Sequence, residues 1–177
     1  MNPKKTIKQF IGPSFIPVIV LLIIPFFFPF AILVFLCSTL PVMLRANKAV
    51  SKLEEAGLLE QAAAELTSPT AKHFMDGKAI CTDHYLFCKR FGYIFTYEEI
   101  AWVYKHRFTQ RMLFIPISVT DSLYLATKDT KAKQVVAMRK DKMDQIKNLI
   151  LEIYSRNRSC LIGYSDENIA AYKAMHK

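Results

Sequence analysis

The sequence predicts a membrane-anchored α+β protein: an N-terminal transmembrane helical hairpin, then an antiparallel β-barrel or sandwich capped by a C-terminal amphipathic helix. Three observations predict it. The stretch from Phe10 to Leu44 runs thirty-five residues without a charged side chain. From about residue 72 the apolar pattern has period two and is punctuated by turn residues. One stripe at helical spacing, Met143, Ile146, Leu149, Ile150, Ile153 and Tyr154, then closes the β region.

The apolar stretch suits lipid better than the core of a 177-residue chain. As one helix it would reach about 52 Å, far beyond a bilayer core of about 30 Å. Its centre reads Pro25-Phe26-Phe27-Phe28-Pro29. The two rings remove two amide donors and disfavour helix just before each proline. Two arms result, roughly Ile11 to Ile24 and Phe30 to Leu44. Lys4, Lys5 and Lys8 precede the stretch, and Arg45, Lys48 and Lys52 follow it. Basic flanks at both ends favour an even number of crossings with both ends cytoplasmic. The alternative is one long tilted helix kinked at proline. An integral protein of the cell (inner) membrane is therefore expected, with its soluble domain in the cytoplasm. The apolar run exceeds a signal peptide's, and no small-x-small site follows it.

Net charge is +9. Residues 1–50 carry five basic residues and no acid, and the remainder carries nineteen basic and fifteen acidic residues. The excess thus leans toward the apolar segment, where anionic head groups attract it. No dense basic stripe accompanies the aromatics, so nucleic acid is not an expected partner. The cysteines are Cys37, Cys81, Cys88 and Cys160, without CxxC spacing, which fits a reducing compartment.

Five segments are expected: a basic N-terminus over 1–9, the hairpin over 10–44, a helical connector over 45–71, the β domain over 72–157 and a tail helix over 158–177. In the connector Val50, Leu53, Ala56, Leu59, Ala63 and Leu66 recur at helical spacing, with a break at Gly57. Asp76-Gly77 signals a hairpin, and Thr82-Asp83 a second turn. Tyr85 to Cys88, Tyr93 to Thr96 and Ile100 to Phe108 follow as strands, with Glu98-Glu99 an interruption. Leu113 to Val119 contains Pro116 and is expected at an edge. Leu123 to Thr127 and Gln134 to Met138 complete the set. Ser165 caps the tail helix, and Ile169 and Tyr172 are placed to dock it back.

The order of strands and one capping helix resembles the pleckstrin-homology-like (PH-like) barrel. The stretch Ile80-Cys81-Thr82-Asp83-His84-Tyr85-Leu86-Phe87, then Phe95-Thr96-Tyr97-Glu98-Glu99-Ile100-Ala101-Trp102-Val103-Tyr104, resembles bacterial membrane-anchored PH-like proteins of unknown function. Ile162-Gly163-Tyr164-Ser165 is similar to tails in that group. The resemblance spans about residues 72–175 and implies a fold and a membrane setting. PH domains that bind phosphoinositides carry a basic cluster in the first strand–strand loop. Here the early turns, Asp76-Gly77 and Thr82-Asp83, are acidic. Basic candidates for lipid or anion contact lie instead at Lys89, Arg90, Lys105, Arg107 and Arg111, against the ordinary role of solvated strand-edge charge.

The only metal-like spacing is Cys81-x2-His84-x3-Cys88, with His73 or Cys160 as a fourth ligand. Strand alternation works against it, and a lone Cys is more often a small core residue. No HExxH, GxSxG, Walker loop or GxGxxG is present, and the five glycines never cluster. Adjacent Glu98 and Glu99 on a strand would face opposite sides and make no acid–base couple. No cofactor is expected. Trp102, Tyr104 and His106 would share one strand face, as packing or as a ligand pocket. These features predict a non-enzymatic module that touches the bilayer and recruits or scaffolds a protein partner, in an oligomeric state the sequence leaves open. The alternative is a sensor of a lipid head group or small ligand at the barrel mouth.

Overall fold

The computed structural model describes residues 2–13, 32–33, 35–89, 91–112, 115–139 and 143–175, with backbone alone at 111–112, 115–117, 130–131, 138–139 and 143. Among the described residues the chain is an α+β protein of five α-helices and two four-stranded sheets. It divides into two compact units: residues 1–71 with 87–94, and residues 72–86 with 95–177.

No helix among the described residues is long and apolar enough to cross a membrane. This corrects the expectation of a membrane-anchored fold with a transmembrane hairpin, and of an integral protein of the inner membrane. The physical reason lies in where the helices start and stop. Helix α1, Pro3–Ile11, has nine residues and carries Lys4, Lys5 and Lys8. The chain from Phe35 passes through a π-helical turn, Phe35–Thr39, into helix α2, Leu40–Glu55. That helix holds Arg45, Lys48, Lys52, Glu54 and Glu55 within sixteen residues, which a bilayer core would not accept. The Pro25-to-Pro29 break and most of both arms lie outside the described residues.

In the first unit α1, α2 and helix α3, Leu59–Leu66, bury one stripe each. Ile7 and Ile11 of α1, Ala46, Val50 and Leu53 of α2, and Ala62, Ala63 and Leu66 of α3 are all buried. The break between α2 and α3 falls at Gly57, with φ +69°. Gly57 N–H donates to the Glu54 carbonyl (3.0 Å) and Leu58 N–H to the Leu53 carbonyl (2.9 Å). That pair of bonds is a Schellman stop, and its left-handed residue suits glycine. Segment 87–94 completes the unit. Its Gly92, at φ +73°, lies so near α2 that a Cβ there would stand 2.7 Å from the Val42 carbonyl oxygen.

Strands β1 (Lys72–Phe74), β2 (Ala79–Cys81), β3 (Tyr85–Cys88) and β4 (Tyr93–Thr96) form the first sheet in that order. Asp76 and Gly77 both have positive φ, and Lys78 N–H donates to the Met75 carbonyl. This is the left-handed pair that a tight hairpin needs. Between β4 and β5, Tyr97–Glu99 is a 3₁₀ turn. Thr96 and Glu99 close it reciprocally, side chain to backbone, as a capping box. Glu98 and Glu99 therefore sit on a turn rather than within a strand.

The second sheet has the order β7-β6-β5-β8. Strands β5 (Ile100–Met112) and β6 (Ile115–Thr127) are both thirteen residues long, β7 is Thr130–Arg139, and β8 is Leu161–Ile162, parallel to β5. The two short strands expected over 113–127 are thus one. Pro116 is tolerated because β7 pairs with β6 only from Thr120 onward, so Pro116 meets β5 alone. Helix α4, Met143–Arg156, buries Ile146, Leu149 and Ile153 and contacts β1 and β5. Helix α5, Asp166–Ala174, follows β8.

Candidate functional site

The candidate site is an aromatic cleft in the second unit, built on one face of β5. Strand alternation puts Trp102 and Tyr104 on one face. The β5–β6 register sets Tyr104 opposite Tyr124, with ring centroids 5.4 Å apart and planes 10° apart. Trp102 and Tyr104 rings lie 4.4 Å apart. His106 extends the row, edge-on to Tyr124 at 5.7 Å.

The tail brings two further rings to this row. Gly163 N–H donates to the Val103 carbonyl (2.9 Å), which continues the β8 pairing by one bond. Gly163 then takes φ +87°, which turns the chain out of the strand. Its carbonyl accepts from Trp102 Nε1 at 2.8 Å and from Asn168 Nδ2 at 3.1 Å. Tyr164, the next residue, stacks on Trp102 at 5.7 Å and 19° while remaining 65% exposed. Ser165 caps α5 by accepting from Asn168 N–H. One helical face onward, Tyr172 packs on Trp102 at 5.3 Å, and its hydroxyl donates to the Thr127 carbonyl at 3.0 Å. The tail helix is thereby fixed to the end of β6.

The result is an open cleft of about 590 Å³, with Trp102, Tyr104, Tyr164 and Tyr172 among its lining and Asp129 and Lys173 as its charged groups. Trp102 and Tyr104 are buried and form its depth. Burial, and next the neighbouring tyrosines, push the Tyr104 hydroxyl above its ordinary range; burial does the same to Tyr172. Both stay protonated at neutral pH, as hydrogen-bonding groups rather than bases.

A second polar cluster, under α4, has a structural character. Tyr97 hydroxyl donates toward the Thr82 and Tyr85 carbonyls at 3.0 and 3.1 Å. Arg156 lies over the Tyr97 ring at 5.1 Å and pairs with Glu152, which also accepts from Lys72 at 2.9 Å. Burial pushes the Cys81 thiol up to about 12, despite a hydrogen bond with Tyr97. Cys160 is pushed up to about 12 by burial as well. Neither thiol is set up as a nucleophile. Cys81 and Cys88 are buried and His84 is exposed. Among the described residues no group of three or more His, Cys, Asp or Glu side chains is placed to hold a metal.

Of the basic residues singled out from the sequence, Lys105 and Arg107 are brought to one carboxylate. Arg107 donates to both oxygens of Asp121 at 2.8 and 3.2 Å, and Lys105 lies 3.9 Å from the same carboxylate, whose side chain is fully buried. Lys89 sits over the Phe10 ring at 5.4 Å. Arg90 lies outside the described residues, and Arg111 is described by its backbone alone. Of the residues expected to flank a membrane, Lys4 pairs with Glu54 at 2.6 Å. Lys5 and Lys8 lie on α1, and Lys48 on α2. Arg45 donates to the Tyr93 hydroxyl at 2.9 Å and to the Pro41 carbonyl at 3.0 Å, with its guanidinium over the Tyr93 ring.

Alternation alone points to Trp102, Tyr104 and His106, and the tail pattern gives Tyr172 only as a docking residue for the tail helix. No local spacing marks Tyr124 and Tyr164 as members of the site. Cross-strand register brings one of them there and a parallel two-residue strand the other. Comparison with protein-family models, curated proteins and solved structures returned no match.

Proposed function

We propose that the chain is a non-enzymatic binding module that holds a small organic ligand in the aromatic cleft of its second unit. One observation carries the reading: an open cleft of about 590 Å³ walled by four aromatic side chains, with one carboxylate and one ammonium at its charged positions. Ligand sites are concave, mainly apolar and furnished with a few polar groups, over a volume range of about 300–1,000 Å³. The frame supports it too. Trp102, Gly163, Asn168 and Tyr172 are tied by hydrogen bonds to one another or to backbone, so the wall is preorganised. Kinship with PH-like modules stays part of this proposal, supported by seven strands, β1 to β7, in two sheets, followed by one packed helix.

Recruitment of a protein partner is the second reading, and a different residue favours it. Phe108 is 54% exposed on β5, opposite Thr120, where β7 stops pairing. Aromatic side chains are enriched at protein interfaces, so an exposed one on this strand suits a protein contact.

Trp102 is the only tryptophan in the chain, so its emission reports directly on the cleft. The test is a fluorescence titration of the whole protein against a panel of small amines, aromatic acids and sugars, paired with melting curves. A ligand should shift the emission and raise the melting temperature, and Tyr164→Ala should abolish both effects. A panel that moves neither signal overturns the cleft reading. Partner capture lost in Phe108→Ser but kept in Tyr164→Ala would place function on the strand arm instead.

A further inference from the structure

We infer that the cleft is built for a zwitterionic quaternary ammonium compound, one that carries a trimethylammonium group and an anionic group a few bonds away. The inference rests on the reading of the cleft as a ligand site and names the class of its ligand. Three features carry it.

The first is the chemistry of the wall. The faces of Trp102, Tyr104, Tyr164 and Tyr172 are electron-rich, and a cation set against such faces is attracted by the ring quadrupole. A quaternary ammonium is the cation best suited, because its methyl groups pack on the rings and it asks for no hydrogen bond in return. Tyr164, 65% exposed and stacked on the buried Trp102, presents the open ring of the wall.

The second is the pair of charges. Asp129 and Lys173 both line the cleft, one on the β6–β7 turn and one in the last turn of α5. No ion pair joins them among the described residues. A carboxylate and an ammonium held in one aromatic cleft suit a ligand with both signs of charge: cation on the rings toward Asp129, anion toward Lys173. A ligand of single charge would meet one like charge.

The third is size. A cleft of about 590 Å³ exceeds a bare trimethylammonium head and leaves space for the group that bears the anion.

The test uses the full chain and three probes of matched shape. Glycine betaine carries both charges. Choline carries the cation alone. The 3,3-dimethylbutanoate anion replaces the ammonium nitrogen by carbon and keeps the carboxylate. Affinities are read from Trp102 emission and by calorimetry. Glycine betaine should bind at least tenfold tighter than 3,3-dimethylbutanoate and several-fold tighter than choline. Lys173→Gln should weaken betaine and leave choline unchanged or tighter. Asp129→Asn should weaken both. Tyr164→Ala, at the exposed edge, should weaken all three while circular dichroism shows an intact fold. Equal binding of betaine and 3,3-dimethylbutanoate would overturn the cation preference and leave the ligand-site reading standing. Failure of all three probes, with another panel member binding in a Tyr164-dependent way, overturns the zwitterion alone. Failure of every probe and panel member overturns both. Phosphatidylcholine vesicles form a further arm: binding to vesicles, with free phosphocholine inert, would identify a lipid head group as the source of the same chemistry.

Discussion

The indole Nε1 of Trp102 donates to the carbonyl oxygen of Gly163 at 2.8 Å. The bond joins the buried strand β5 to the turn that sets Tyr164 and starts α5. It links the depth of the cleft to its edge, across sixty-one residues of sequence.

Trp102→Phe keeps a ring and removes the donor. Asn168 still satisfies the Gly163 carbonyl, so no orphaned acceptor results. The expected loss is about 1–2 kcal/mol, from one hydrogen bond and a smaller ring. Urea unfolding followed by circular dichroism measures it. Limited proteolysis should cut faster within 163–174, because the tail has lost one of its ties.

Asn157 closes the end of α4 on the start of β5. Its Nδ2 donates to the carbonyls of Tyr97 (2.7 Å) and Ile100 (2.9 Å), and its Oδ1 accepts from Ser159. Asn157→Ala leaves two partly buried carbonyls without this donor. A loss of about 2–3 kcal/mol is expected in the same urea assay. Asn157→Asp should not rescue it, since a carboxylate cannot donate.

Gly92 and Gly57 share the left-handed region and differ in surroundings. A Cβ at Gly57 meets nothing within 4 Å, whereas one at Gly92 falls 2.7 Å from the Val42 carbonyl oxygen and 3.0 Å from Ala46 nitrogen. Gly57→Ala should cost about 1 kcal/mol, the conformational part alone. Gly92→Ala should cost about 2–4 kcal/mol, because backbone must move as well. Comparable melting temperatures for the two variants would contradict the close packing of segment 87–94 on α2.

Glu152 gives a pH signature. Burial by itself would raise its pKa, but hydrogen bonds from Lys72 and Arg156 outweigh that and hold it below the ordinary 4.5. A depressed carboxylate adds stability that is present above the unfolded pKa and is lost as pH falls through the folded value. Glu152→Gln should therefore be less stable than the parent at pH 7, by about 1–3 kcal/mol. The gap should narrow once pH drops below about 4.5, and urea midpoints at pH 7 and pH 3.5 test this. A gap of constant size would assign the effect to packing rather than charge.

Much of the second unit was legible from local chemistry. The Asp76-Gly77 hairpin, the strand from Tyr85, the helix around Ile146, Leu149 and Ile153, and the Ser165 cap each depend on residues within a few positions of one another. The Thr96-to-Glu99 capping box is equally local: its T-x-x-E spacing makes a turn where two adjacent acids suggest only a strand interruption. Pro116 misled in the other direction. Whether proline can sit in a strand depends on whether a neighbour needs its missing N–H, and only the length of β7 answers that.

The first unit shows the sharper divide. Its lack of charge over 10–44 is a sequence fact, and the inference to membrane spans took the Lys and Arg after it as flanks. The structure instead runs Leu40 to Glu55 as one helix, with Ala46, Val50 and Leu53 buried and Arg45 bound to Tyr93. A basic residue beside apolar ones looks the same in sequence whether lipid or protein covers the apolar side.

The sequence by itself determined where turns, caps and amphipathic stripes occur, because these are set by side chains within one or two turns of each other. It also placed Trp102 and Tyr104 on a common face. Tertiary structure alone decided that Tyr124, Tyr164 and Tyr172 join them, and that Asp129 and Lys173 line the same cleft. Those meetings depend on strand register, on a two-residue parallel pairing and on one hydrogen bond from Tyr172 to Thr127. Each is a contact between residues tens of positions apart, which no local spacing records.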